Sequence, residues 1–153
     1  MVSFREVPVD DPAAQALVAE YFAVRAETFP PELGVYHPKF PTPAEFVPPL
    51  GVFLLVVDAD GTDVGCGGIR MLAPGRFEIK HLWVRPHTQG RGLGRALLVE
   101  LERRAAELGA TEVVLDTNAS LIAAGNLYRS SGYVEVEPYN DNPNATHWFR
   151  KAL

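Results

Sequence analysis

The stretch Glu78–Leu98, EIKHLWVRPHTQGRGLGRALL, constrains this chain more than any other. Ile79 to Val84 mixes apolar, β-branched and aromatic residues with polar ones, as a buried strand does. Arg85-Pro86 ends that strand, because proline has no N–H for a ladder and keeps its predecessor out of the helical region. Gln89-Gly90-Arg91-Gly92-Leu93-Gly94 follows, and then Ala96, Leu97, Leu98, Leu101, Ala105 and Leu108 recur at helical spacing. A strand, a glycine turn and a helix N-terminus form a seat for an anionic phosphate. The first N–H groups of a helix have no intrahelical partner, and the helix dipole favours negative charge there. Glycine at 90, 92 and 94 leaves no Cβ between backbone and phosphate.

The spacing excludes the commoner phosphate loops. No GxxxxGK[ST] is present, and GRGLG is not GxGxxG and does not follow a first strand. A net charge of -5 argues against a nucleic-acid binder, whereas Arg85, His87, Arg91 and Arg95 gather around the turn, where an anion would sit. The lone Cys66 excludes an internal disulfide, suits a reducing compartment and reads as a small packing residue. No apolar run reaches about 18 residues and no leader opens the sequence, so a cytoplasmic protein with no membrane partner is expected. The 153 residues suffice for one domain, 1–153, with a full core.

Taken in order, Val2 to Val9 reads as a first strand, and Asp10 or Asp11 caps a helix that starts at Pro12 and runs to about Glu27. Residues 28–49 carry seven prolines with Tyr36, His37 and Phe40 between them, a long irregular segment of the kind that is usually functional or mobile. Gly51 to Asp58 is a central strand, Asp60-Gly61 a hairpin turn, and Thr62 to Leu72 the returning strand. Gly65, Gly67 and Gly68 inside that strand indicate a bulge or a close approach. After the Arg91–Leu108 helix, with Gly109 as its C-cap, Thr111–Asp116 is a strand reached through a helix and hence parallel to Glu78–Val84. A short helix from Ser120 to Arg129 and strands at Tyr133–Glu137 and Ala145–Leu153 complete the chain.

Gln89, Gly92 and Gly94 fit the pattern [QR]xxGxG, preceded by Leu82-Trp83-Val84-Arg85-Pro86. A second segment, Leu127-Tyr128-Arg129-Ser130-Ser131-Gly132-Tyr133, fits LYxxxGF. Together they resemble the acyl-CoA-binding segments of the GCN5-related N-acetyltransferases, the GNAT family, in a form similar to its bacterial small-molecule members. The resemblance follows the order of elements through the chain and is weakest before residue 50. It implies an α/β (α+β) GNAT fold. Its mixed, mostly antiparallel sheet of about seven strands is flanked by about four helices and splayed between the strands at 78–84 and 111–116.

The activity implied is transfer of acetyl from acetyl-CoA to a primary amine of a small-molecule or amino acid-like acceptor, by direct attack in a ternary complex. No metal is implied, and a homodimer is compatible with the resemblance. Acetyl-CoA would be held by Leu82, Trp83, Val84, Gln89, Gly90, Arg91, Gly92, Leu93, Gly94, Arg95 and Tyr128, with Asn118 or Asn126 near the position where the family often has an asparagine and this chain has Leu121. Tyr128 would protonate or hold the leaving thiolate, and Glu78 is the candidate general base. By strand alternation His81 should face away from Glu78. Phe29, Tyr36, His37, Glu78 and Tyr139 are the candidate acceptor-binding residues. A non-catalytic acyl-CoA sensor or interaction module is the competing reading, and Leu121 favours it.

Overall fold

The computed structural model describes residues 1–153. The elements run β1 (Ser3–Glu6), α1 (Pro12–Thr28), β2 (Gly51–Val57), β3 (Asp63–Ala73), β4 (Arg76–Val84), α2 (Leu93–Glu107), β5 (Glu112–Thr117), α3 (Ile122–Ser130), β6 (Val134–Val136) and β7 (His147–Ala152). Single 3-10 turns lie at Pro31–Leu33, Pro43–Phe46 and Pro86–Thr88. There are thus three α-helices where about four were expected. The proline-rich segment between α1 and β2 makes only 3-10 turns, since each proline removes an N–H that a longer helix would use. No helix is long and apolar enough to cross a membrane.

The strands form one sheet in the order β1-β2-β3-β4-β5-β7-β6, antiparallel except for β4 beside β5. β7, the last in sequence, inserts between β5 and β6, so β6 ends at the sheet edge. One face packs on α2 through Leu97, Leu98, Leu101 and Ala105. The other packs on α1 through Ala14, Leu17, Val18 and Phe22. Asp11 caps α1, accepting the Ala13 N–H at 2.9 Å, which leaves Pro12 at the first turn where its missing N–H costs nothing.

Two irregularities in β3 and β4 shape everything downstream. Cys66 lies opposite Trp83 and Gly68 opposite Lys80, so β4 carries one extra residue there. His81 takes it up at φ 58, a left-handed conformation uncommon outside glycine. The bulge resets the alternation: Phe77 and Ile79 face the α2 core, but so does Val84, while Trp83 faces the α1 core. The His81 ring consequently meets Phe22 and Phe46 at 5.6 and 6.4 Å, on the face that Glu78 shares. Strict alternation had placed it on the opposite face. Across the bulge, Gly68 supplies the close approach expected of a strand glycine: a Cβ there would fall 2.7 Å from the Phe46 ring. Gly68 therefore lets Phe46, itself buried, pack against the sheet and tie the 28–49 segment to it.

Candidate active site

β4 and β5 pair only at Arg76–Glu112, Phe77–Val113 and Glu78–Val114, then part. A bulged strand bends, and beyond Glu78 the β5-facing edge of β4 has no strand partner. A cavity of about 1080 Å³ occupies the gap, walled by Ile79–Val84 and by Leu115–Thr117. One end reaches the glycine turn and α3; the other reaches α1, the proline-rich segment and the loop between β6 and β7.

At the first end, Gly90 and Gly92 have φ of 87 and 76, so both need glycine for conformation. No atom lies within 4 Å of a Cβ built at either. Gly94 differs, since a Cβ there would make ordinary contact with Leu127 at 3.5 Å. No backbone N–H from Gly90 to Arg95 donates to the protein, and the first helical bond is Ala96 N–H to Gly92 O at 3.0 Å. Gly92 brings no capping side chain. A run of orphaned donors at a helix start, folded around left-handed glycines, is an anion cradle and fits a pyrophosphate. Gln89 braces the strand end, its Nε2 donating to Val84 O at 3.3 Å.

The candidate cofactor residues divide. Leu82, Trp83, Val84, Gln89, Gly90, Gly92, Leu93, Gly94, Arg95, Asn126 and Tyr128 all line the cavity. Arg95 does so while holding Ser130 Oγ at 2.7 Å and Ser131 Oγ at 3.0 Å. The Arg91 guanidinium turns away to a bidentate pair with Asp58 at 2.8 and 2.9 Å, and so brings only its backbone. Asn118 is spent on structure: its Nδ2 donates to Asn144 O and its Oδ1 accepts from Ser120 N–H, both at 3.0 Å. Leu121 lines the wall, so the family's usual asparagine position presents an apolar surface here.

Tyr128 is almost wholly buried, its ring packed on Tyr133 and Phe149, yet its hydroxyl has no protein partner. Burial pushes its pKa up, and the neighbouring Tyr21 phenol and Asp116 carboxylate add to the effect. The phenol therefore keeps its proton at neutral pH and can donate it.

At the other end, Tyr36 and His37 line the cavity. The Asn144 side-chain amide accepts the His37 N–H and donates to the His37 carbonyl, both at 2.8 Å, as a neighbouring strand would. Phe29, Glu78 and Tyr139 do not reach the wall. Phe29 is buried behind Arg25, whose guanidinium carbon is 5.7 Å from its ring. Glu78 is fully buried; Arg70 Nε donates to its Oε1 at 2.9 Å and the Tyr139 hydroxyl donates to its Oε2. Antiparallel pairing places Glu78 directly opposite Arg70, and this cross-strand ion pair draws the carboxylate into the sheet.

Three wall residues escaped the sequence reading. Asp116 accepts from Asn140 at 2.8 Å and Asn142 at 3.1 Å and has Lys80 at 3.8 Å. His81 is neutral, its pKa held down at about 3 by burial and then by the charges of Lys80 and Arg70. Arg25 is 4% exposed and carries no ion pair. Its signal was available, because it falls in phase with Leu17, Val18 and Phe22 on the buried stripe of α1, where a cation is unexpected.

Residues 13–133 match the family model described as the Acetyltransferase (GNAT) family. An uncharacterised N-acetyltransferase of Schizosaccharomyces pombe is 39% identical over 100 residues, which are 65% of this chain and 61% of that protein. An IAA acetyltransferase of Azospirillum brasilense is 34% identical over 86 residues, 56% of each chain. The alignments thus span about 60% of the length of these relatives. A GNAT family acetyltransferase of Elizabethkingia anophelis, solved with acetyl-CoA bound, superposes with a TM-score of 0.68 at 14% identity over 99% of this chain and 98% of that one, a likeness of fold.

Proposed function

Because the chain belongs to the GNAT acetyltransferase family, whose members use acetyl-CoA, we propose that it transfers an acetyl group from acetyl-CoA to the amine of a small molecule within a ternary complex. One observation carries the reading. The orphaned N–H row of Gly90–Arg95, the unpartnered edge of β4 and the Tyr128 hydroxyl all border one cavity, which continues to a separate acceptor end. Both substrates can therefore be held at once, which is what direct attack requires. The IAA acetyltransferase among the relatives supports a small-molecule acceptor.

Acetyl-CoA supplies the activated acyl group. The glycine turn holds its pyrophosphate, and the edge of β4 from Leu82 to Val84 pairs with its amide arm and offers N–H donors to the acetyl oxygen as that oxygen gains charge. Tyr128 gives its proton to the departing sulfur. Glu78 is not placed to act as a base, because neither oxygen can take a proton from an acceptor without losing Arg70 or Tyr139. The carboxylates on the wall are engaged as well, Glu45 by Arg70 and Asp116 by Lys80 and two asparagines. His81, with a pKa of about 3, is too weak a base to deprotonate an ammonium. The amine therefore enters already neutral. An acceptor screen that reads free thiol as CoA is released tests the activity. Release with at least one amine, absent without it, is expected. Tight acetyl-CoA binding with no acceptor in a broad screen would replace this reading by the sensor.

A further inference from the structure

Arg25 is a charged side chain that the proposed reaction leaves unused; the Tyr21 phenol lies close to it, but no carboxylate of the chain pairs with it. Its Nε and Nη1 are enclosed with no hydrogen-bond acceptor, while Nη2 sits at the cavity wall. The guanidinium carbon lies 4.9 Å from the centre of the Tyr36 ring and 5.7 Å from that of Phe29, and the two rings, 5.7 Å from each other, flank it on one side. Aromatic faces offset part of the desolvation of a permanent cation but satisfy none of its N–H groups. Of the other cations on this wall, Arg70 is matched by Glu45 and Glu78, Lys80 by Asp116 and Arg95 by two serine hydroxyls, while Lys39 is exposed to solvent, so Arg25 is the buried one without a counter-ion. A buried charge is ordinarily paired, so the unmatched one asks for an anion from outside the chain.

We propose that Arg25 anchors a carboxylate of the acceptor, so that the molecule acetylated is an amine bearing an acid group, as an amino acid does. This rests on the cavity being an acetyl-transfer site. Either guanidinium fork, Nε/Nη2 or Nη1/Nη2, combines the open nitrogen with an orphaned one, and a planar carboxylate satisfies both together. A single fork suits one carboxylate, whereas a phosphate dianion calls for more donors than this end provides. Anchored in this way, the acceptor would lie with its acid group toward α1 and its neutral amine toward Tyr128.

The test compares matched acceptors, each amino acid against its carboxamide, in wild type, Arg25→Lys and Arg25→Met, with kcat/KM referred to the neutral-amine fraction of each acceptor because the amide has the lower amine pKa. Charged hydrogen bonds of this kind correspond to about a tenfold to hundredfold preference in kcat/KM for the acid. Arg25→Met should bring that ratio to near one, and Arg25→Lys should keep part of it. Binding of N-acetyl amino acids, followed by calorimetry, needs no turnover and should weaken by a similar factor in Arg25→Met. An unchanged thermal shift with acetyl-CoA verifies that each variant is folded. Wild type that does not discriminate acid from amide, or a variant that loses both acceptors equally, overturns the anchor and leaves Arg25 a brace for the aromatic stack. Arg25-dependent binding of N-acetyl amino acids without turnover of any amine would keep the anchor and remove the transferase reading.

Discussion

Tyr128, His81 and Glu78 show how burial decides what a titratable residue can do. Tyr128 keeps its proton because it is buried with a free hydroxyl, so Tyr128→Phe removes one proton and preserves the packing. A fall in kcat of about 10²–10⁴-fold is expected, with acetyl-CoA affinity changing by at most about 0.5–1.5 kcal/mol. A loss below threefold in steady-state kinetics would show that the thiolate leaves without this acid. His81 is buried neutral, so the folded state binds fewer protons than the unfolded one between pH 6.5 and about 3. Its neutral form supports the fold above that window, and stability is lost as pH falls through it, by up to about 1.4 kcal/mol per pH unit. Denaturation across this range should give a shallower acid limb in His81→Gln than in wild type. Because the amine enters neutral, log(kcat/KM) should rise with unit slope up to the amine's own pKa. Glu78→Gln should keep that slope. A plateau near neutrality that the variant abolishes would restore Glu78 as the base.

At the scale of elements, the bulge in β4 and the glycines of β3 are two halves of one device. The extra residue at His81 coincides with the parting of β4 from β5, and Gly68 admits Phe46, which carries the wall proposed to face the acceptor. Gly68→Ala forces a methyl into ring contact at 2.7 Å. Overpacking of this kind costs about 1–3 kcal/mol, read as a lower midpoint in urea with an unchanged slope. Since Phe46 lines the cavity, acceptor KM should suffer more than acetyl-CoA affinity. Cys66, opposite the bulge, donates its thiol to the His81 carbonyl at 3.4 Å, and burial raises its pKa to about 12. It should resist a thiol reagent in the native protein and react at once in denaturant.

For the molecule as a whole, the splayed sheet makes cofactor binding and stability one measurement. A ligand bound only by the folded state stabilises it by about 2.7 kcal/mol at a hundred times its Kd. For a protein of this size that raises Tm by about 5–10 °C. Gly92→Glu places a β-carbon at φ 76 and a carboxylate where phosphate belongs, so the shift should vanish. A full shift in a folded Gly92→Glu protein would move the phosphate site away from this turn.

Local chemistry made the strand, glycine turn and helix legible from residues alone. Pro86 must end a strand, glycine must serve left-handed positions, and helix periodicity must follow, whatever the rest of the chain does. The same locality exposed the hairpin at Asp60-Gly61, a cap at Asp10 or Asp11, which the structure resolves to Asp11, and the parallel strand read at Thr111–Asp116. What needed the tertiary structure was every property set by a partner distant in sequence. Arg70 paired with Glu78, the expected base, Asp58 took the Arg91 side chain, and Asn144 claimed Asn118. One inserted residue moved His81 to the other face, because strand alternation has period two and a single bulge inverts it. Arg25 lay within reach of the helical pattern, but its want of a partner is a fact about three-dimensional neighbours, and only the fold could supply it.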